Sequence, residues 1–546
     1  MGAFHWKWKL AFLVVAFAVL VGCSASKDGG AKGDGGSGGG YGTASAETVA
    51  GKSIRSTGIL RPDQNGEIRI VAKAAKLEIA PGVKKEVWTY NGSVPGPEIR
   101  VKQGETVRVR FKNELPVPTT IHWHGYPVPN GMDGVPGLTQ NLVKPGEEFV
   151  YEFKATIPGT FMYHPHQDSA KQVDRGLYGA LVVEENRSAY DRDYTLMLDE
   201  WIKKEDGGGM DHGAMGDMMH GSGNGAAGQA MHGGSGGSAG GATNGSGGEM
   251  SMDDMMRQHM KLYDIFTING KSGSLIRPLT VKEGERVRLR LINIGNLPHL
   301  LHLHVHTFTV VARDGQPVAE PQPLKNRLIA VAPGERVDLA FTADNPGNWL
   351  LEAHDEGAVA APGMKVAIRY DGAANQLDRS DDTAKLPVAD LLNYGKGKKG
   401  PFTLDQTYDV EYSMELGTAM GKTGVIYTIN GKTFPDTAPI RVKEGDSVKV
   451  RIVNRSHMDE HPMHLHGHFF QVLSKNGKPL TGAPVIKDTL NIKPGEEYVV
   501  AFRADNPGRW VFHCHELHHA EAGMVAPVLY DGYQPKVKPD KNAKPE

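Results

Sequence analysis

Cysteine is almost absent: the 546-residue chain has two, Cys23 and Cys514, each in a setting that gives it a separate job, so no disulfide is expected. Charge of one sign is lacking as well. Sixty-one Lys and Arg against 63 Asp and Glu leave a formal charge of −2, without the basic excess that a nucleic-acid partner requires. Long apolar runs are missing too; the stretch 10–20, behind Lys7 and Lys9, is short for a membrane span and fits a secretory signal. What is present is an ordinary 39% of hydrophobic residues, enough for a sizeable core, over a length that suggests three or four domains. Much of the glycine, 69 residues in all, is concentrated in two low-complexity stretches.

The first of these stretches follows the N-terminal signal. Residues 20–24 read Leu-Val-Gly-Cys-Ser, which resembles the lipobox of bacterial lipoproteins. That resemblance implies a signal peptide over 1–23, cleaved before a lipid-modified Cys23, and hence an exported lipoprotein of the cell membrane. Residues 24–45 are rich in Gly, Ser and Lys without apolar periodicity, and read as a flexible tether.

The remainder repeats one pattern three times. Each copy has an Asn-Gly turn (Asn91-Gly92, Asn269-Gly270, Asn430-Gly431), then an alternating strand of the type Val-Lys-x-Gly-Glu-x-Val, then a His-rich strand. A Pro-Gly-Glu turn (from Pro145, Pro333 and Pro494) and a last aromatic strand complete the unit. Alternation of period two predicts strands with one face inward and a charged face left wet. Short strands at regular spacing between Gly and Pro turns predict β-sandwiches, three of about 150 residues each. The boundaries fall at 46–190, 191–385 and 386–546.

Four histidine clusters carry the chemistry: His122-Trp-His124, His164-Pro-His166, His461-Pro-Met-His464-Leu-His466, and His513-Cys514-His515 with His519 and Met524 following. Residues i and i+2 of a strand share a face, so each His-x-His pair aims two imidazoles at one point. Imidazole suits copper, zinc, iron or nickel, and does not by itself name the metal. Cys514 does, because its side chain points to the opposite face from His513 and His515, where it can meet His461, His519 and, weakly, Met524. Two His, one thiolate and a long axial Met is the ligand set of a blue-copper electron-transfer site. Superposing the repeats lays 164–166 over 513–515 and His122 and His124 over His464 and His466, so the first and third sandwiches must touch.

These clusters, in this order on matching repeats, resemble those of the multicopper oxidase (laccase-like) family, over essentially the whole chain after the tether. The resemblance implies an all-β fold of three tandem cupredoxin-like Greek-key sandwiches and four coppers per chain: one type 1, one type 2 and two type 3. It implies a type 1 copper on His461, Cys514, His519 and Met524, and a type 2 copper on His122 and His464. The type 3 pair is implied on His124, His164 and His515, and on His166, His466 and His513. The implied reaction is one-electron oxidation of a donor coupled to four-electron reduction of O2 to water, which also consumes protons. Asp133 follows His124 at a spacing similar to that of the family's acidic residue and is the first proton-relay candidate; a turn-forming Asp before Gly134 is the alternative. Many bacterial relatives carry Glu directly after the last type 1 His, where this chain has Ala520. The second donor is therefore open between Glu516 and Glu521.

Two features depart from a plain laccase. In the second repeat, His299, His302, His304 and His306 keep the spacing of the third, but its last strand reads Glu352-Ala353-His354. This reads as a retained strand pattern without a blue-copper site, its histidines serving packing or domain bridging rather than an additional metal. Inside the same repeat, an insertion at about 205–260 holds ten of the 20 methionines, among them Met210, Met215, Met218, Met219, Met252, Met255 and Met256. Thioethers are soft donors that suit Cu(I), so the insertion points to recruitment of cuprous ion and a role in copper tolerance. Phenols and aromatic amines, or another metal ion, are the alternative donors, and an oxidation sink is the alternative for the insertion. A non-enzymatic copper-storage lipoprotein would leave the eight-histidine set unexplained, and a copper nitrite reductase would lack the paired His-x-His clusters.

Overall fold

The Asn-Gly turns set the entry to each sandwich. Asn91, Asn269 and Asn430 take φ of 56°, 53° and 53°, and the glycines after them are also left-handed, the backbone of a tight hairpin turn that Asn and Gly tolerate. Between and after these turns the computed structural model shows three tandem β-sandwiches, each of two sheets. It describes residues 58–202, 263–354, 361–374, 386–397, 399–422 and 424–535, with 377, 538, 540, 543, 545 and 546. The signal, Cys23, the tether and the Met/His insertion lie outside the described residues. Among the described residues no helix is long and apolar enough to cross a membrane.

The first sandwich pairs a four-stranded sheet with a five-stranded one that has His122–His124 at its edge, beside Gly159–His164. The second has six- and five-stranded sheets, and the third seven- and five-stranded sheets. Each encloses its own apolar core, around Phe111 and Trp123, around Leu289 and Phe341, and around Val450 and Phe512. Cys514 and Met524 are part of the third core. One register recurs: His122 stands opposite His164, His302 opposite Glu352, and His464 opposite His513. The superposition read from the sequence therefore holds strand by strand.

The charged faces do not all stay wet. In strand Arg286–Asn293 of the second sandwich, Arg288 and Arg290 are buried, although the same alternation leaves Arg108 and Arg110 half-exposed in the first. The cause is the neighbouring sandwich. Arg290 pairs with Asp193 at 2.7 Å and donates to Thr160 Oγ1, while Arg288 pairs with Asp338 at 2.6 Å, whose carboxylate also accepts from Thr160. Guanidinium groups taken out of water need such partners on every side.

A second recurrence has a role that only the structure shows. Asn113, Asn293 and Asn454 each end the alternating strand, fully buried, and each donates from Nδ2 to two backbone carbonyls of the loops around it. For Asn293 these are the carbonyls of Leu297 and Val331, both at 2.8 Å. Asn293→Ala would strip a donor from both, at roughly 1–3 kcal/mol for each carbonyl left unpaired. The expected result is a thermal unfolding midpoint several degrees lower by calorimetry, with the wild-type spectrum retained at low temperature.

Candidate metal centre

The first and third sandwiches meet through hydrogen bonds such as Asn130 Nδ2 to the Arg509 carbonyl, 2.8 Å, and Asn506 Nδ2 to the Val128 carbonyl, 3.1 Å. At this seam the eight histidines of the four His-x-His pairs converge, all at most 1% exposed. Their ring nitrogens form groups whose members lie within 4.8 Å of one another: His122, His124 and His464; His124, His164 and His515; His166, His466 and His513. The last two are the triads implied for the type 3 pair, and the first contains the pair implied for type 2.

Hydrogen bonds decide which nitrogen of each ring is free. A carbonyl oxygen only accepts, so a ring nitrogen in contact with one carries the proton. His122 Nδ1 donates to the Asp133 carbonyl (2.8 Å), His464 Nδ1 to the Asp488 carbonyl (3.0 Å), His164 Nδ1 to that of Pro165 (2.9 Å) and His513 Nδ1 to that of Cys514 (2.9 Å). His166 Nδ1 donates to the Pro545 carbonyl, and His466 Nδ1 to Asp133 Oδ2 at 3.0 Å. All six present Nε2 to the centre. His124 is reversed: its Nε2 donates to the Gly334 carbonyl (3.0 Å), which leaves Nδ1 as the inward lone pair. His122 Nε2, His124 Nδ1 and His464 Nε2 are buried without a hydrogen-bond partner, and His466 Nε2 lies 3.0 Å from His513 Nε2. Two lone pairs at that distance repel unless a cation sits between them.

Burial, with the neighbouring imidazoles adding to it, pushes His124, His164, His166, His466, His513 and His515 well below the usual histidine range. They are neutral, as metal ligands must be.

Two aspartates pin the cluster by a shared rule. Asp133 accepts from His122 through its carbonyl and from His466, in the other sandwich, through its carboxylate. Asp488 accepts from His464 through its carbonyl, and its carboxylate lies 3.5 Å from His124 Nε2, again across the seam. Burial alone would raise the Asp488 pKa; the Arg336 guanidinium, bonded to both its oxygens at 2.7 and 2.5 Å, overcomes this and holds the carboxyl well below its usual range. Arg336 comes from the second sandwich, as does the Gly334 carbonyl. A side chain at Gly125, in the His-x-His-Gly turn, would fall 2.3 Å from Arg336, so this glycine makes room for the pair.

On the opposite face of strand Arg509–Cys514, Cys514 Sγ lies 3.8 Å from His461 Nδ1 and 3.6 Å from His519 Nδ1, and all three are buried. Ser456 Oγ, 2.8 Å from His461 Nε2, and the Glu516 carboxylate, 3.1 Å from His519 Nε2, hold the outer nitrogens and turn both Nδ1 atoms toward the sulfur. Met524 is fully buried in the same core. Burial pushes the Cys514 thiol well up, so binding a metal there displaces a proton. Two imidazoles and a thiolate fit copper at this site, and the dry imidazole triads fit copper at the other.

The acidic candidates separate. Asp133 lies in the cluster. Glu516 caps the short helix Leu517–Glu521 and faces His519, implied for the type 1 site, while Glu521 is exposed and accepts from the Ala170 amide. Four polar partners of the cluster were missed: Asp488, Thr489, Arg336 and Glu546. Glu546 Oε1 is 3.2 Å from His166 Nε2 and 3.1 Å from His513 Nδ1, and burial raises its pKa well above the usual range. The sequence held one signal for the second sandwich's part, because Ala332 replaces the exposed Lys144 and Lys493 of the equivalent turns. His306 and His468 are packing residues, each bonded to a tyrosine hydroxyl and stacked on its ring.

Comparison with known proteins agrees with this geometry. Two family models, both described as multicopper oxidase, match residues 72–188 and residues 248–372 with 401–532. The chain is 33% identical to multicopper oxidase MmcO of Mycobacterium tuberculosis, over 81% of this chain and 82% of the relative. It is 26% identical to copper resistance protein A of Escherichia coli, over 82% and 90%. Among solved structures, a multi-copper oxidase from Pseudomonas thermotolerans superposes with a TM-score of 0.62 at 30% identity, covering 85% of this chain and 98% of the other.

Cys514→Ser should abolish the intense thiolate-to-copper absorption and the oxidation of donors. His513 and His515 stay in place on the other face, so three of the four coppers should remain by metal analysis. A blue, active variant would overturn the assignment of Cys514.

Proposed function

The chain belongs to the multicopper oxidase family, and from that premise we propose that cuprous ion is its physiological electron donor, in an exported lipoprotein that protects the cell from copper. Copper, bound at the type 1, 2 and 3 sites, supplies one-electron uptake from the donor and four-electron reduction of O2. The chain's own contribution is to hold the ligands, to join the sites, and to govern access and protons. Cys514 is bonded directly to His513 and His515, so covalent bonds connect the two faces of one strand.

The observation that carries the proposal is the position of the chain just after the Met/His insertion. Tyr263, the first described residue after it, places its hydroxyl 3.2 Å from Nε2 of His518, the neighbour of His519. The same hydroxyl bonds Asp174 at 3.1 Å, and Asn296 donates to both Asp174 and the hydroxyl. A cleft of about 110 Å³ opens here, walled by Asp174, Glu86 and Glu200 and also by Lys85 and Arg175. Burial raises the Asp174 pKa to about 7, so a cation arriving there can displace its proton. Carboxylates beside the electron-entry site, close in the chain to a segment of soft thioether donors, favour a monovalent soft cation over a neutral phenol. The names of relatives extend from copper resistance protein A to laccase-2 of Botryotinia fuckeliana, so the donor is chosen on these residues.

Excising residues 207–257 should lower turnover with Cu(I) far more than turnover with a bulky phenol, because both donors use the same Cys514 and cluster. If the insertion also covers the entry site, phenol oxidation rises. Unchanged Cu(I) kinetics would remove its recruiting role, and equal loss with both donors would make it structural.

Asp133 is proposed to relay protons as well as to orient His122 and His466. Asp133→Asn keeps the volume and removes the acid. Bleaching of the blue absorption by donor without O2 should keep its wild-type rate, since that half-reaction moves no proton to oxygen. Return of the colour on mixing with O2 should slow by up to ~10²–10⁴-fold, the usual contribution of general acid catalysis. Stopped-flow absorbance separates the two halves. A wild-type rate of return, at unchanged copper content, would leave Asp133 with orientation alone.

A further inference from the structure

The second sandwich has neither a thiolate nor a share of the trinuclear ligands, yet its histidines do not all behave as packing residues. His299 bonds the Glu200 carboxylate at 3.1 Å and His306 bonds the Tyr370 hydroxyl at 2.7 Å, which accounts for both. His302 is different. It is 1% exposed, and neither ring nitrogen has a hydrogen-bond partner. A neutral imidazole has one donor and one acceptor, and leaving both unpaired in a buried position is costly.

Around it the strands repeat the geometry of the copper-binding repeats. His302 stands opposite Glu352 in the register that sets His464 opposite His513. His302, His304 and His354 bring ligand nitrogens within 4.8 Å of one another, the same convergence found in each triad at the seam. Ring centroids are 4.1 Å apart for His302 and His304 and 5.2 Å apart for His302 and His354. The Glu352 carboxylate, in the place of His513, adds an oxygen 2.9 Å from His304 Nε2 and 3.5 Å from His354 Nε2.

We propose that His302, His304, His354 and Glu352 form a fifth metal site, for a single divalent cation of the borderline class, copper(II) ahead of zinc(II). Three imidazoles and one carboxylate are a donor set that both ions accept, and at equal geometry copper(II) binds the more tightly. The ion supplies the partner that His302 lacks. Ala353 stands where the blue site has its cysteine, so no thiolate colour accompanies the binding. The His354 and Glu352 side chains are 29% and 25% exposed, against 0% for His464 and His513, so the site opens to solvent where the cluster at the seam does not. The site does not depend on which donor the oxidase uses.

The test is carried out on the full-length, copper-loaded enzyme after removal of loosely held metal on a desalting column. Metal per chain is measured by mass spectrometry for the wild type, His302→Ala and the more conservative Glu352→Gln. Wild type should carry one equivalent more than His302→Ala, with blue absorption and phenol turnover the same in both. Copper held by the insertion is common to all and cancels in the difference. If His302→Ala fails to fold, His354→Ala, on the exposed rim, makes the same comparison. Anomalous diffraction should place a peak among the three rings, at the copper edge for copper and the zinc edge for zinc, and either supports the site. Equal metal content with no peak at either edge would overturn the proposal and return these histidines to packing.

Discussion

Most of the centre depends on one constraint: an imidazole in a dry core is held as an oriented ligand when its N–H has a fixed acceptor. Seven of the eight cluster histidines meet it through a carbonyl or carboxylate, and the acceptors are not scattered. Asp133 and Asp488 perform the same two tasks from opposite sides of the seam. Each fixes a histidine of its own sandwich through its carbonyl and places its carboxylate beside one of the other sandwich. The ring orientations and the docking of the two sandwiches are therefore one problem with one solution, and a carboxylate lost from either side disturbs both.

The second sandwich closes this arrangement without contributing a ligand to it. Its turn at Pro333 lays the Gly334 carbonyl against His124, and a side chain at Gly334 would strike the His515 ring at 2.8 Å. Its Arg336 neutralises Asp488 in a setting where an unpaired carboxylate would be costly. The two outer sandwiches carry the chemistry, and the middle one sets the charge and the reversed tautomer of His124. Its own His302, His304 and His354 form a separate cluster with Glu352.

Much of this was legible in the sequence because it rests on period and order. The three-fold repeat, the sandwich class, the eight histidines and the opposite-face placement of Cys514 follow from strand alternation, and both type 3 triads come together as implied. Asp133 was found because it lies close behind His124 in the chain. Asp488, Thr489, Arg336 and Glu546 were not, since each acts across a contact between segments far apart in sequence, and a lone Asp or Arg carries no period. Burial of Arg288 and Arg290 was hidden for the same reason: the alternation places them on the second face, and only the adjoining sandwich makes that face dry. Glu516 and Glu521, close in the chain to the type 1 ligands, are placed by their short helix against His519 and the Ala170 amide rather than among the cluster imidazoles.

A blue site and a three-copper cluster on two faces of one strand make sense together only if electrons taken singly are released to oxygen four at a time. The direct measurement is the ratio of donor oxidised to O2 consumed during aerobic turnover, with peroxide assayed in the same vessel. The account predicts four one-electron donors for each O2, with no peroxide accumulating. Two donors for each O2, with peroxide appearing in step, would contradict it.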